Sequence, residues 1–337
     1  MQIQKNVSLK PYNTFGIDVP ASHFAEIDSV STLQGILASK DLPDLFILSG
    51  GSNLLLTGPL DSLVLYINIP GKEIIRETPE EAVIRAMAGE NWHELVLWTL
   101  DQGLGGIENL ALIPGKAGTA PIQNIGAYGV ELKDVFEACE AIEIETGALK
   151  RFEREQCRFG YRDSFFKRAG KGKYIIVSIE LRLSRKNHRL STSYGAISNE
   201  LQKRGITRPT PSDIAQAVIS IRQQKLPDPS KLGNSGSFFK NPVISNSHYA
   251  SLKEDFPEIP GYPQQHDGVK VPAGWLIEHC GFKGIRSGDA GVHQRQALVL
   301  VNYGNASGMD LLNLAQNIQE AVLAKFSITL QPEVNII

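Results

Sequence analysis

The chain has 337 residues and a formal net charge of −2, and 42% of its residues are hydrophobic. This length predicts two or three domains with ordinary apolar cores. The balanced charge argues against nucleic acid as a partner, and no apolar run is long enough to predict a membrane span. The three cysteines, Cys139, Cys157 and Cys280, show no paired spacing, and the first residues lack the pattern of a secretory signal. Both features predict a cytoplasmic protein.

The first 70 residues alternate between strand and helix patterns, which predicts a compact α/β unit. Strands are expected at HFAEI, LFIL and LVLYINI, and an amphipathic helix at SVSTLQGILASK. A second unit begins with a strand at AVIRAMAGEN and a helix at WHELVLWTLDQG, which Gly103 ends. The stretch from Gly106 to Leu132 has no regular periodicity. A loop of this length inside a compact domain is usually functional or disordered, and its apolar residues argue against disorder.

Strands resume at a hairpin around Thr146-Gly147 and at KYIIVSIELRL, whose alternation is regular. After a polar connection, Thr210 and Asp213 predict the capped start of a helix with Pro211 in its first turn. Further on, helices are expected at PAGWLIEHC and MDLLNLAQNIQEAVLAKF, and strands at QALVLVN and ITLQPEVNII. The predicted domains are residues 1–70, 71–225 and 226–327, with a final strand at 328–337 that returns near the second domain.

Several common motifs do not occur. No Rossmann or P-loop glycine pattern follows a strand, and no H-E-x-x-H is found. A group of His and Cys residues with one Asp in the C-terminal third lacks metal-ligand spacing, so no metal is predicted: His266, Asp267, His279, Cys280 and His293. Ser237 is not in a G-x-S-x-G elbow, which argues against an acyl-transfer triad.

Two glycine-rich segments predict a ligand site. LSGGSNLLL follows an apolar strand, where paired glycines let a backbone approach a ligand and successive N–H groups can bind an anion. A plain turn is the simpler interpretation of this segment alone. IPGKAGTAPIQNIGAYG is a second such segment, with apolar residues between its donors. Together they predict a site for a large dinucleotide that lacks a Rossmann loop.

A set of longer segments resembles one enzyme family. They are NTFGI, GGSNLLL, IPGKAGTAPIQNIGAYG, CRFGYRDSFFK, KLPDP, GNSGSFFKNP, AGWLIEHCG, QALVLVN and PEV, in this order. Over Asn13 to Val334 the chain resembles the UDP-N-acetylenolpyruvoylglucosamine reductases, and STSYGAI fits the type with a tyrosine loop. The resemblance implies an α+β protein. Its FAD-binding module would have two α/β subdomains of the vanillyl-alcohol-oxidase (PCMH) type, and a C-terminal α+β domain would bind the substrate.

The resemblance also implies a reaction. NADPH reduces FAD, and UDP-N-acetylglucosamine enolpyruvate then accepts hydride from flavin N5 at C3 and a proton at C2. The product, UDP-N-acetylmuramate, serves peptidoglycan synthesis. Arg162 and Glu333 would face the substrate carboxylate, and Ser237 would donate the proton. The implied FAD contacts are Ser49, Gly50, Gly51, Ser52, Asn53, Leu54, Pro114, Gly115, Gly118, Thr119, Gln123, Asn124, Gly126, Ala127 and Tyr128. The implied substrate contacts are Tyr194, Lys225, Asn241, Tyr262 and Lys270.

Simpler interpretations stand beside these roles. Without the resemblance, Arg162 would be an ion partner of Asp163, Glu333 a surface acid and Ser237 a turn residue. A flavin-dependent oxidase of another substrate and a nucleotide-sugar-binding protein without catalysis are the alternative functions. Thr119-Ala120 stands where many relatives have two serines, which implies one fewer hydroxyl for the flavin phosphates. We expect a monomer.

Overall fold

The computed structural model describes residues 3–39, 41–264 and 268–337. The chain forms an α+β protein with seven α-helices in these ranges. The strands are β1 Gln4–Ser8, β2 Pro20–Ile27, β3 Leu45–Leu48, β4 Leu54–Leu55, β5 Leu60–Ile67, β6 Lys72–Glu77, β7 Glu81–Met87, β8 Gly126–Ala127, β9 Val130–Glu131, β10 Phe136–Glu143, β11 Leu149–Glu153, β12 Tyr174–Ser184, β13 Gly233–Ser237, β14 Val243–Ile244, β15 Tyr262–Pro263, β16 Val269–Lys270, β17 Arg286–Ser287, β18 Ala290–Val292, β19 Val299–Asn302 and β20 Asn335–Ile336. The helices are α1 Val30–Leu37, α2 Trp92–Asp101, α3 Gly195–Lys203, α4 Pro211–Lys225, α5 Asn246–Asp255, α6 Ala273–His279 and α7 Gly308–Phe326.

The chain divides into two compact units that are not contiguous in sequence. Unit 1 comprises residues 1–7, 21–50 and 61–223, and unit 2 comprises residues 8–20, 51–60 and 224–337. This division differs from the predicted three-part organisation, because two short N-terminal segments join the C-terminal part of the chain. The last strand, β20, pairs in parallel with β4, at Leu54 and Leu55.

Unit 1 contains two sheets. One has the order β1-β2-β5-β3 and the other β11-β10-β12-β7-β6. The predicted hairpin at Thr146-Gly147 is confirmed as the antiparallel pair β10 and β11. Although β12 has an alternating sequence, residues on both of its faces are buried, because Ile176 and Ile179 pack into one apolar cluster and Ile175 and Val177 into another. The two clusters together form the core of unit 1.

Helices α2 and α4 of unit 1 have the ends that the sequence predicts, and α3 was not predicted. The Thr210 hydroxyl accepts a hydrogen bond from the Asp213 N–H at 3.2 Å, and the Asp213 carboxylate accepts one from the Thr210 N–H at 2.8 Å. This reciprocal pair is the capping box that starts α4. Helix α2 ends before Gly103, whose φ of 70° lies in the left-handed region. Helix α3 was not predicted from its polar sequence, in which Ile197 and Leu201 are the buried residues.

Unit 2 contains the four-stranded sheet β13-β19-β18-β17 and a smaller sheet, β14-β16-β15. Helix α7 packs against β18 and β19, and a Ser307–Asp310 capping box starts it. The predicted strand ITLQPEVNII is shorter than expected, since only Asn335–Ile336 forms a strand. Pro332 lies inside the predicted strand and cannot donate a ladder hydrogen bond, which accounts for the interruption.

Candidate active site

The two glycine-rich segments meet through their backbones in unit 1. A Cβ on Gly50 would lie 2.8 Å from the Cα of Gly115, and one on Gly118 would lie 2.5 Å from the Cβ of Ala88. Real side chains do not tolerate such distances, so glycine is required at both positions for this packing. Gly50 at the end of the first segment's unit 1 part therefore packs directly on the backbone of the second segment at Gly115.

The loop that carries Gly115 is held by the start of α2. The backbone N–H of Trp92 donates a hydrogen bond to the Gly115 carbonyl at 3.0 Å, and its indole N–H donates one to the Leu110 carbonyl at 3.0 Å. The Leu112 N–H donates to Nδ1 of His93 at 3.0 Å. Burial lowers the pKa of His93, which favours the neutral ring that can accept this bond. The loop is therefore fixed from the side of α2.

The side chains at these segments fit an FAD site in part. The Ser49 hydroxyl is buried and has no hydrogen-bond partner among the described residues, so it is available to a ligand. Thr119 donates its hydroxyl to the Lys116 carbonyl at 2.9 Å. The Asn124 amide nitrogen donates to Glu131 and to the Gly160 carbonyl, so this side chain is occupied within the protein. Ser49 and the glycines are the groups that fit a dinucleotide best.

This packing predicts the effect of a single methyl group. Gly50→Ala would force the Gly50 and Gly115 backbones apart, and we expect at least a roughly tenfold weaker FAD affinity, the loss that about 1.4 kcal/mol of binding energy produces. Flavin fluorescence during titration of the apoprotein measures it. Gly35→Ala is the control, because a Cβ on this glycine of α1 would meet nothing within 4 Å. Equal affinities in both variants would contradict the proposed loop contact.

Arg162 lies in unit 1 with a strained backbone. Its φ of 54° is in the left-handed region, which is uncommon for a residue with a side chain. Its Nη2 donates to the Gly126 carbonyl at 2.6 Å. The neighbouring Asp163 carboxylate binds Arg168, and this hydrogen bond is the main cause that lowers the pKa of Asp163. The guanidinium of Arg162 is therefore held against the second glycine-rich segment.

A cluster of polar side chains lies near Arg162. The rings of Tyr128 and Tyr194 meet edge to face at 5.4 Å between centroids. Arg222 hydrogen-bonds Tyr128, and its own Nε is buried without a partner among the described residues. Burial lowers the pKa of Arg222. The interaction with Tyr128 raises this pKa in part, and the positive charge of Arg162 lowers it further. Asn109 bonds the carbonyls of Tyr128 at 3.1 Å and Ser191 at 2.9 Å.

Sequence reasoning missed Arg222 and Asn109. Arg222 lies three residues before Lys225 on α4, and a helical arginine without a motif has no signal of its own. Asn109 lies in a short 3₁₀ turn, Glu108–Leu110. The near-complete burial of Asn109 indicates a structural role. The sequence alone does not reveal that this asparagine is buried.

Ser237 ends β13 in unit 2 and is exposed, whereas the two residues after it are buried. The rings of Phe238 and Phe239 lie 5.1 Å apart and anchor the strand end in the core. Gly236 has a φ of 71°, and its N–H donates to the side chain of Asn234 at 3.0 Å. This local turn presents Ser237 outward on a rigid support.

The C-terminal segment brings Glu333 to the same place. The Glu333 N–H donates to the Phe238 carbonyl at 2.8 Å. The Glu333 carbonyl accepts Nδ2 of Asn53 at 3.2 Å, and the Asn335 N–H donates to the Asn53 carbonyl at 3.1 Å. In unit 2, hydrogen bonds thus join Glu333 to Asn53 and to Phe238, the residue after Ser237, although these positions are far apart in sequence.

The predicted substrate contacts divide between the units. Tyr194 lies in unit 1 and precedes α3. Tyr262 and Lys270 are cross-strand partners on β15 and β16 in unit 2. The side-chain Oδ1 of Asn241 accepts a hydrogen bond from the Ala273 N–H at 2.9 Å and so holds the start of α6. Lys225 is exposed at the end of α4.

The histidines of the C-terminal third do not form a site in the part that can be described. His266 and Asp267 lie outside the described residues. Within the described ranges, no three His, Cys, Asp or Glu side chains come together as a metal site. No helix in those ranges is long and apolar enough to cross a membrane.

Two sequence families match the chain. Residues 23–153 match an FAD binding domain, and residues 228–337 match the C-terminal domain of UDP-N-acetylenolpyruvoylglucosamine reductase. The two matches overlap the glycine-rich segments and the strand that carries Ser237, respectively.

Whole proteins of the same kind match over their full length. The chain is 52% identical to the UDP-N-acetylenolpyruvoylglucosamine reductase of Flavobacterium johnsoniae, with 100% of both chains covered. It is 49% identical to that of Pseudomonas fluorescens, with 100% of this chain and 99% of the relative covered. The crystal structure of the Thermus caldophilus enzyme matches with a TM-score of 0.68 at 25% identity, over 100% of this chain and 99% of that one. The chain therefore belongs to the UDP-N-acetylenolpyruvoylglucosamine reductase family.

Proposed function

We propose that the chain uses FAD and NADPH to reduce UDP-N-acetylglucosamine enolpyruvate to UDP-N-acetylmuramate, a step in peptidoglycan precursor synthesis. The observation that carries the proposal is the backbone pairing of Glu333 with Phe238. This bond joins the backbone of Glu333 to the residue that follows Ser237, the proposed proton donor, in a chain that matches reductases over its full length. When bound, FAD supplies the hydride transfer, and the protein supplies orientation and electrostatics.

Arg162 is proposed to bind the substrate carboxylate. Hydride addition to the enol ether at C3 builds negative charge that spreads onto this carboxylate, and a fixed cation stabilises such charge. A guanidinium remains charged and presents a fork that matches a carboxylate. The bond to the Gly126 carbonyl holds the guanidinium before any substrate arrives. Such preorganisation avoids a reorganisation cost during the reaction.

Ser237 is proposed to donate the proton to C2. Its hydroxyl is a weak acid, but the electron-rich C2 is a strong base, so the transfer is feasible. The buried Phe238 and Phe239 fix the position of the strand end. Glu333 is proposed to lie beside the substrate carboxylate, as the resemblance to the family implies.

Tyr194 is proposed to lie over the nucleotide sugar, because it is exposed and its ring is steadied by Tyr128. Tyr194→Phe keeps that ring contact and removes one hydroxyl. We expect KM for the substrate to rise about two- to tenfold with little change in kcat, the range for one neutral hydrogen bond. Steady-state kinetics measure both constants. Tyr303→Phe is the control, since its ring contact with Arg286 would remain. A collapsed kcat at unchanged KM would contradict the role of Tyr194.

Tyr262 and Lys270 are proposed to bind the diphosphate. Directly opposite residues on antiparallel strands have neighbouring side chains, which gives a hydroxyl and an ammonium in one place. Lys225 and Asn241 are proposed as further contacts with the substrate or the nicotinamide.

An anaerobic absorption spectrum tests the function. NADPH should bleach the bound flavin, and UDP-N-acetylglucosamine enolpyruvate should restore its colour. A flavin oxidase would instead be recoloured rapidly by oxygen and would not respond to the enolpyruvyl nucleotide. A binding protein without catalysis would bind the nucleotide but leave the flavin bleached.

We further propose a monomer that acts in the cytoplasm. The three thiols Cys139, Cys157 and Cys280 are free, and this suits a reducing compartment. Light scattering behind a sizing column would measure the mass, and about twice the 36.9 kDa of one chain would overturn the monomer.

A further inference from the structure

Lys116 is an ionisable side chain in the cofactor loop to which the reaction assigns no role. It lies between Gly115 and the turn Ala117–Thr119, and its backbone forms a bridge with Asn91. Its Nζ donates to the Tyr66 hydroxyl at 2.8 Å, to the Asn68 side-chain oxygen at 2.6 Å and to the Ile67 carbonyl at 3.3 Å. All three protons of the ammonium are therefore used at the end of β5.

The charged groups around this ammonium are few. Asn68 donates in turn to the Glu26 carboxylate on β2 at 2.6 Å, so the nearest acid acts through an amide. The Tyr66 ring lies beneath Nζ, 4.1 Å from its centroid. The neighbouring Glu90 carboxylate binds Lys72 at 2.7 Å and does not neutralise Lys116. The ammonium thus has neutral direct partners at β5.

We infer that Lys116 is a positioning residue for the FAD site, because its ammonium ties the loop 113–119 to the end of β5. The start of α2 holds the same loop from its other side through Trp92 and His93. Between these two attachments lies Gly115, whose backbone meets the Gly50 turn. The inference rests on FAD as the cofactor of the family and not on the roles proposed for Arg162, Ser237 or Glu333.

The ionisation of Lys116 sets a pH dependence. Burial lowers its pKa from 10.5 to about 8, and the charge of Glu26 opposes this shift only in part. Between pH 8 and 10.5 the unfolded chain binds more protons here, so this residue makes the free energy of unfolding rise with pH in that window. Below pH 8 the charged form lowers stability relative to a neutral side chain.

FAD carries a negatively charged pyrophosphate, so it should bind best when Lys116 is charged. For wild type we expect the dissociation constant for FAD to rise about tenfold from pH 7 to pH 9. About tenfold is the largest change that the loss of one proton from Lys116 can produce at one pH unit above its pKa. Lys116→Met should bind FAD roughly ten- to a hundredfold more weakly at pH 7, the range for one hydrogen bond to a charged group, without this pH dependence. Lys116→Arg keeps its charge and should also show a flat profile.

Titration of the apoproteins with FAD, followed by flavin fluorescence, measures these constants, and urea unfolding at pH 7 measures stability. Lys171→Met, an exposed lysine of the same unit, is the control and should match wild type. Lys116→Met should unfold at the same or a higher urea concentration than wild type. Wild-type affinity in Lys116→Met, or weak affinity together with unfolding at low urea, would overturn the inference. If wild type itself fails to bind FAD, the cofactor assignment is at fault instead.

Discussion

Ser237→Ala is expected to leave flavin reduction by NADPH near the wild-type rate and to slow flavin reoxidation by the enolpyruvyl nucleotide about 10²–10⁴-fold, the usual contribution of general acid catalysis. The first half-reaction needs no proton at C2, whereas the second does. Anaerobic stopped-flow absorbance at the flavin band separates the two. Ser237→Cys should recover part of the rate, because a thiol can also deliver a proton.

The structure supplies the reason to expect a clean separation. Ser237 is exposed, and its support comes from the buried Phe238 and Phe239 and from the backbone bond between Phe238 and Glu333. Removal of the hydroxyl therefore leaves the strand end in place. Ser251→Ala, on the exposed face of α5, is the control and should leave both half-reactions unchanged. Loss of flavin reduction in Ser237→Ala, or unchanged reoxidation, would contradict the role of Ser237 as proton donor and leave it with a structural role in the turn.

Much of the fold follows from local sequence. Helix α4 has its cap in Thr210 and Asp213, and the β10–β11 hairpin has its turn at Thr146-Gly147, so both could be predicted. What could not be predicted is long-range. Residues 8–20 and 51–60 belong to the same compact unit as the C-terminal part of the chain. No local sequence pattern predicts this association. Helix α5 was missed because its sequence, NSHYASLKED, has a single buried residue, Leu252.

The site shows the same limit. The glycines of both cofactor segments were recognisable because close backbone approach requires them, and Gly50 at 2.8 Å from Gly115 shows why. Lys116 was not recognisable, since a lysine in a loop is usually exposed and its partners at Tyr66 and Asn68 lie about 50 residues earlier. The trio of Arg162, Ser237 and Glu333 came from resemblance, because each residue alone has a simpler interpretation.

Arg162→Met is expected to slow reoxidation by the enolpyruvyl nucleotide by about 10²–10³-fold, the loss that follows removal of one preorganised electrostatic group. Flavin reduction by NADPH should be less affected. Arg162→Lys should recover little, because an ammonium is a point charge without the planar fork, and it would have to reach both the Gly126 carbonyl and the substrate. Single-turnover reoxidation under anaerobic conditions measures the effect.

A control distinguishes this role from a general loss of positive charge. Arg154→Met removes an exposed arginine from the preceding turn and should leave both half-reactions unchanged. If Arg162→Met were to bind FAD poorly as well, the arginine would act through the Gly126 segment rather than on the substrate carboxylate. If Arg162→Lys were as fast as wild type, charge alone would suffice. In that case Arg222, which lies close enough for its pKa to respond to Arg162, would be the next arginine to test for binding of the substrate carboxylate.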